Sequence, residues 1–319
     1  MANHFNLAKV VLAEPNGKFR HEIENVLKEL GFFDIKSTGN LGAAEQALRD
    51  DNIALFIGDT SLPEGDVNQT VKNIRMSKLG GNPFVICLTM ITEPSEEKTA
   101  MVVNSGVDDV AVKPFRASQI RDRIQMLAHS RPKFVVTSDY IGPSRRDASR
   151  DKAEDNLFAV PNPLVSSVGL RNYNNALNII KEHRIVRDGL KIDEIASKVT
   201  KKLAEGVSVD KVLKDLEWLN TTADELDGRL KESVNKPIRA MIMTLRNLTN
   251  IISKAQDIDE SDIETLKKLG INIAARFDKK RLAFSIDEYE RQTVMKNDSD
   301  ADVEKNFQPG PEAPPVPPK

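Results

Sequence analysis

Apolar positions in the first 130 residues alternate between short continuous runs and helical spacing. The run from Ala8 to Ala13 is typical of a buried strand, and Phe19, Ile23 and Leu27 lie on one face of a helix that Gly31 ends. The same alternation repeats four more times before residue 130. Five strand–helix units of this length predict a doubly wound, five-stranded parallel sheet with helices on both faces.

The remaining chain divides into three segments of different composition. Residues 131–170 are rich in Pro, Ser and mixed charges, which predicts a linker with some local order at Phe134 to Val136. Residues 171–285 carry no strand pattern and predict an all-α bundle or hairpin domain. Residues 286–319 are acidic and then rich in Pro, and we expect a disordered tail there.

Two narrow apolar seams within residues 171–285 have the alternating spacing of three and four that is typical of heptads. The first seam comprises Val209, Val212, Leu216, Leu219, Ala223, Leu226 and Leu230, and the second comprises Ile238, Met241, Leu245, Leu248, Ile252 and Ala255. Such seams form either the core of an intramolecular bundle or a coiled-coil homodimer. The sequence leaves both open.

Composition and charge exclude several classes of function. The formal net charge is -2, and residues 171–281 hold 22 Lys and Arg against 18 Asp and Glu, an excess too small to favour nucleic acid as a partner. No apolar stretch is long enough to cross a membrane, and no signal-peptide core is present. The single cysteine, Cys87, and four scattered histidines argue against disulfides or a Cys- or His-based metal site. We therefore expect a cytoplasmic protein.

Four chemically active residues each fall at the end of a predicted strand. Glu14 follows the first strand, Asp59 the third, Thr89 ends the fourth and Lys113 the fifth. Because the carboxyl ends of parallel strands meet at one edge, we expect these side chains to lie together. Asp59 suits a nucleophile toward phosphorus, Glu14 and Asp59 suit Mg²⁺ ligands, and Lys113 suits a phosphate contact. Pro114 after the lysine is compatible with a cis bond.

These residues and their spacing resemble the receiver domain of bacterial two-component response regulators, a flavodoxin-like fold. The resemblance covers about residues 7–130 and rests on Glu14, the Asp59-Thr60-Ser61-Leu62-Pro63 turn, Thr89 and Lys113-Pro114. It implies a phosphoacceptor role for Asp59, a switch role for Thr89 and a phosphate contact for Lys113. It also implies signal transduction in a phosphorelay, rather than an enzyme, with a histidine kinase or histidine phosphotransferase as partner and a downstream protein as receiver of the signal.

Three departures from the family pattern keep alternatives open. Pro15 stands where a second acid is usual, which weakens the Mg²⁺ site, Met90 stands where a small residue is usual, and Val110 stands where an aromatic residue is frequent. One alternative is a degenerate receiver that serves as a phosphorylation-independent scaffold or docking protein. A second is a DNA-binding transcription regulator.

Overall fold

The computed structural model describes residues 5–50, 52–137, 139–145, 157–165, 170–230, 236–255 and 258–277. The predicted disordered tail lies outside these residues. So do much of the segment predicted as a linker and the last residues of the predicted helical domain.

The first domain is built on a five-stranded parallel sheet of order β2-β1-β3-β4-β5. Its strands are β1 (Lys9–Ala13), β2 (Asp34–Thr38), β3 (Ile53–Asp59), β4 (Ile86–Ile91) and β5 (Asp109–Val112). Every residue of β3 is buried, because this central strand is covered on both faces. The sheet confirms the predicted doubly wound fold, and β1 begins one residue after the start of the predicted run from Ala8 to Ala13.

Five helices cover the two faces of this sheet. They are α1 (Gly17–Leu30), α2 (Leu41–Ala47), α3 (Val67–Arg75), α4 (Glu96–Asn104) and α5 (Ser118–His129). Buried side chains of α1 and α5 form one core layer, and those of α2, α3 and α4 form the other. Helix α1 begins where the Asn16 side chain accepts a hydrogen bond from the Phe19 N–H, and it ends at Gly31 with φ +97°.

The segment after α5 corrects the prediction of a linker for residues 131–170. It contains a small antiparallel sheet of β6 (Phe134–Val136), β7 (Ile141–Pro143) and β8 (Leu157–Phe158). Phe134 and Phe158 are fully buried in a core that also holds Phe84, the residue two before β4. We call the described residues 131–145 and 157–165 the extension. It is packed structure, because Phe134, Val136, Ile141 and Phe158 are buried in one core with Phe84 of the first domain.

A buried charge network joins the extension to the sheet at the edge opposite the carboxyl ends. The Asp108 carboxylate accepts hydrogen bonds from Arg75 Nη2 at 2.6 Å and from Arg131 Nε at 2.9 Å. All three side chains are nearly inaccessible to water. Burial by itself raises the pKa of Asp108, but the charges of Arg131 and Arg75 outweigh it, so this pKa is lowered. Both guanidinium groups also contact the Phe134 ring, whose centroid lies 5.2 Å from Arg75 Cζ and 4.7 Å from Arg131 Cζ.

Four helices form the second domain in the described part of the chain. They are α6 (Leu170–Ala204), α7 (Val209–Arg229), α8 (Lys236–Ile252) and α9 (Glu260–Ala274). Both predicted seams supply residues to one shared core, which includes Leu216, Leu219, Leu245 and Ile252. The seams therefore pack against helices of the same chain, and a homodimer through this domain stays a prediction. None of the helices in the described ranges combines the length and apolarity needed to cross a membrane.

Candidate functional site

The sheet brings three of the four predicted site residues into direct contact. Glu14 directly follows β1, Asp59 is the last residue of β3 and Lys113 directly follows β5. The Glu14 and Asp59 side chains are fully buried, and that of Lys113 is 18% exposed. The parallel register gathers them at one edge although they are up to 99 positions apart in sequence.

Lys113 connects the two carboxylates. Its Nζ donates a hydrogen bond to Glu14 Oε2 at 2.6 Å and lies 2.7 Å from Asp59 Oδ2. The contact with Asp59 falls outside hydrogen-bond geometry, so charge attraction holds that oxygen. Burial disfavours the charged lysine, but the two carboxylates outweigh this effect and raise the pKa of Lys113. The Lys113–Pro114 peptide bond is cis, in agreement with the sequence-based expectation.

Ser61 engages the other oxygen of Asp59. Asp59 Oδ1 accepts a hydrogen bond from the Ser61 backbone N–H at 2.7 Å and a second one from the Ser61 hydroxyl. The sequence analysis did not assign a role to Ser61. The sequence nevertheless contained a signal for this contact. An Asp side chain often accepts a hydrogen bond from the backbone N–H two residues later, which is an Asx turn, and Asp59 and Ser61 have this spacing.

Thr89 lies beside the acceptor without bonding to it. It is paired in register with Gly58, the residue before Asp59, and its buried hydroxyl makes no hydrogen bond to any described residue. A buried hydroxyl without a partner is costly, so this group is ready to bond to an oxygen brought to the site. Met90 is fully buried and packs into the core layer of α1 and α5.

The oxygen donors at this edge fit a hard divalent cation. Glu14 and Asp59 each place an oxygen within 2.7 Å of one Nζ, so a single cation lies within reach of both. Pro15 adds no side-chain oxygen, and within the described ranges no group of three or more His, Cys, Asp or Glu side chains is arranged to hold a metal. Glu14 Oε1 is already engaged by the Asn16 N–H at 2.9 Å.

A doubly wound sheet with two buried acids, a lysine and a threonine at the carboxyl ends of its strands defines the class of receiver-type signalling domains. The model of the response regulator receiver domain family matches residues 10–125. Residues 10–125 are therefore similar to the receiver domain of response regulators.

Individual proteins are similar to the same part of the chain. The transcriptional regulatory protein HprR of Escherichia coli is 30% identical over 150 residues, which cover 47% of this chain and 64% of that protein. The chemotaxis protein CheY1 of Helicobacter pylori is 22% identical, over 37% of this chain and 95% of that protein. The solved structure of CheY4 of Vibrio cholerae is 23% identical, covers 38% of this chain and 98% of its own, and has a TM-score of 0.34. The chain thus spans less than two thirds of the length of the E. coli regulator.

Proposed function

We propose that Asp59 accepts a phosphoryl group from a histidine-phosphorylated kinase or phosphotransferase, and that the helical bundle passes the resulting state to a downstream protein. The observation that carries this proposal is Lys113 Nζ, which contacts both Glu14 and Asp59 at the carboxyl edge of the sheet. A lone structural ion pair needs one carboxylate for one lysine. Two buried carboxylates around a single lysine leave one negative charge without compensation. This charge favours a site that also binds a metal cation.

The transfer step is a displacement at phosphorus. One carboxylate oxygen of Asp59 attacks the phosphorus atom of the donor, a P–O bond forms, the P–N bond to the donor imidazole breaks, and that imidazole takes up a proton. Lys113 pairs with an oxygen of the transferred group, and the unpartnered Thr89 hydroxyl donates to another. Both contacts strengthen only when the phosphoryl group is present, so Thr89 and Lys113 report the state of Asp59.

Mg²⁺ is the cofactor that this donor set suits best. Glu14 and Asp59 would hold the ion, with waters in place of the oxygen that Pro15 does not supply. When bound, the ion offsets the negative charge that the phosphoryl group brings next to two carboxylates. Because Lys113 occupies the space between these carboxylates, we expect Mg²⁺ binding to be weak and to shift the lysine.

A second candidate is a docking module that works without phosphorylation. Its support is that both Asp59 oxygens are engaged, Oδ1 by Ser61 and Oδ2 by Lys113, in a side chain with no exposed surface. Pro15, which supplies no side-chain oxygen for a metal ion, also favours this second candidate. In this case the receiver domain serves as a fixed surface, and the bundle carries the function.

The mass of the intact protein distinguishes the two candidates. We expect one added phosphoryl group after incubation with a small phosphodonor and Mg²⁺, and no addition in Asp59→Ala. Asp122→Ala, at an exposed position of α5, is the matched control and should gain mass as the wild type does. The absence of any gain at high Mg²⁺ contradicts the acceptor proposal and favours the docking module.

A further inference from the structure

A cleft of about 260 Å³ lies between the receiver domain and the helical bundle, remote from Asp59. The receiver contributes α3 and the turn after it, with Lys72, Met76 and Lys78. The bundle contributes α6 and α7, with Arg184, Asp188 and Trp218 among the lining residues. The cleft is small, so it suits a single compact molecule rather than a polymer.

Four cations and three carboxylates line this cleft, an excess of one positive charge. Its acidic residues are already engaged, since Asp188 and Glu225 both pair with Arg229, and Asp139 pairs with Lys191 at 3.6 Å. Lys72, Lys78 and Arg184 line the same space. Arg184 is close enough to Asp188 and Glu225 for their charges to act on its pKa, which burial and Arg229 nevertheless lower. Three cations around one concave site attract an anion, and an arginine with two lysines suits a phosphate group.

The bundle side adds groups that recognise more than charge. Asp188 is fully buried, and its Oδ1 has no hydrogen-bond partner in the described part of the chain. The buried donor atom Arg184 Nε also has no hydrogen-bond partner among the described residues. A buried donor and a buried acceptor therefore both lack partners within about one helical turn of α6. Trp218 keeps 42% of its surface exposed although it lines the cleft. Lys191 Nζ lies over its ring at 4.5 Å from the centroid, and an indole is a stacking surface for flat rings.

We propose that this cleft binds a nucleoside monophosphate. The phosphate lies among Lys72, Lys78 and Arg184, and the base lies against Trp218 with an amino or imino N–H directed to Asp188. The ligand contacts both domains, so its binding holds the receiver and the bundle together. The proposal does not depend on phosphorylation of Asp59.

The full-length protein allows a direct test because Trp218 is its single tryptophan. AMP, GMP, CMP and UMP are titrated separately while indole fluorescence is recorded, and affinity is then measured by calorimetry. We expect at least one of them to produce a saturable change with a Kd below about 1 mM. The corresponding nucleoside and inorganic phosphate, tested alone, should each bind about tenfold more weakly or worse.

Variants test whether the nucleotide binds in the cleft or at another surface. Lys72→Ala combined with Lys78→Ala should weaken binding about tenfold or more, because two charge-assisted contacts are lost. Lys211→Ala combined with Lys214→Ala removes two exposed lysines from α7 outside the cleft, and it should bind as the wild type does. Trp218→Leu, followed by calorimetry, should also lose affinity.

Three results would overturn the proposal. One is that none of the four nucleotides binds below about 1 mM. Another is equal affinity for inorganic phosphate alone, which would reduce the site to a general anion contact. The third is unchanged nucleotide affinity in the Lys72→Ala, Lys78→Ala variant, since the phosphate would then lie elsewhere.

Discussion

His183 on α6 is a fully buried imidazole, and neither ring nitrogen has a hydrogen-bond partner among the described residues. Its ring lies 5.9 Å from that of Phe158 in the extension. Burial, followed by the charge of Arg187, lowers the pKa of His183 to about 4. The neutral imidazole therefore belongs to the folded state, and protonation favours unfolding.

This burial predicts a loss of stability in mild acid. The folded-state pKa lies below the unfolded value of 6.5, so the contribution of His183 is complete above about pH 6.5 and is lost as the pH falls toward 4. Between about pH 7.5 and about pH 5.5 the loss from this group is about 1 kcal/mol. His183→Leu should remove that part of the pH dependence, as measured by urea unfolding at the two pH values.

A matched variant identifies the source of the effect. His21→Leu replaces an exposed histidine on α1 and should keep the wild-type difference between the two pH values. If His183→Leu lost as much stability in acid as the wild type, the buried imidazole would not be the sensitive group.

Among the elements of the fold, the extension departs most from what its sequence indicates. Residues 131–170 are rich in prolines and charged residues. The three strands of the extension have only two or three residues each. The apolar run Phe134–Val136 indicated local order, but strands this short carry no measurable alternation, so periodicity did not predict the sheet. Their stability comes from distant partners, namely Asp108, Arg75 and Phe84 of the receiver domain.

Phe134→Ala tests whether the extension is a packed element. The ring is fully buried and contacts two guanidinium groups, so its removal should cost about 3 kcal/mol or more in the free energy of unfolding. Val165→Ala, at an exposed position of the same segment, should change it by less than about 0.5 kcal/mol. Urea unfolding followed by circular dichroism measures both, and equal, small effects would restore the interpretation as a linker.

At the scale of the whole molecule, the extension and α6 connect the receiver domain to the bundle. Ala176, Ile179 and Ile180 of α6 share one apolar cluster with Phe84 of the receiver domain and Phe134 of the extension. The Tyr173 hydroxyl donates to the Gly81 carbonyl at 3.0 Å, and its ring packs edge-on against Phe84 at 5.5 Å. The two domains are thus joined by buried contacts and not by a tether.

This shared cluster predicts coupled unfolding. Calorimetry of the wild type should give one overlapping endotherm for both domains, because each loses the cluster when the other unfolds. Ile179→Asp places a charge in the cluster and should separate the endotherm into two. Ile271→Asp, at an exposed position of α9, should leave it single. Two separate transitions in the wild type would contradict the coupling.

The sequence by itself determined the alternation of strands and helices, the helical character of the second domain and the edge at which Glu14, Asp59, Thr89 and Lys113 meet. Periodicity is a local property that locates each strand and its end in the sequence. Because parallel strands all run in the same direction, their carboxyl ends lie at one edge of the sheet, and this fixes the position of the site. Only the tertiary structure decided that one lysine serves two buried carboxylates, that the seams pack within one chain and that the extension packs against Arg75 and Asp108. These contacts join residues far apart in sequence or depend on which groups lose water, and no local pattern encodes either.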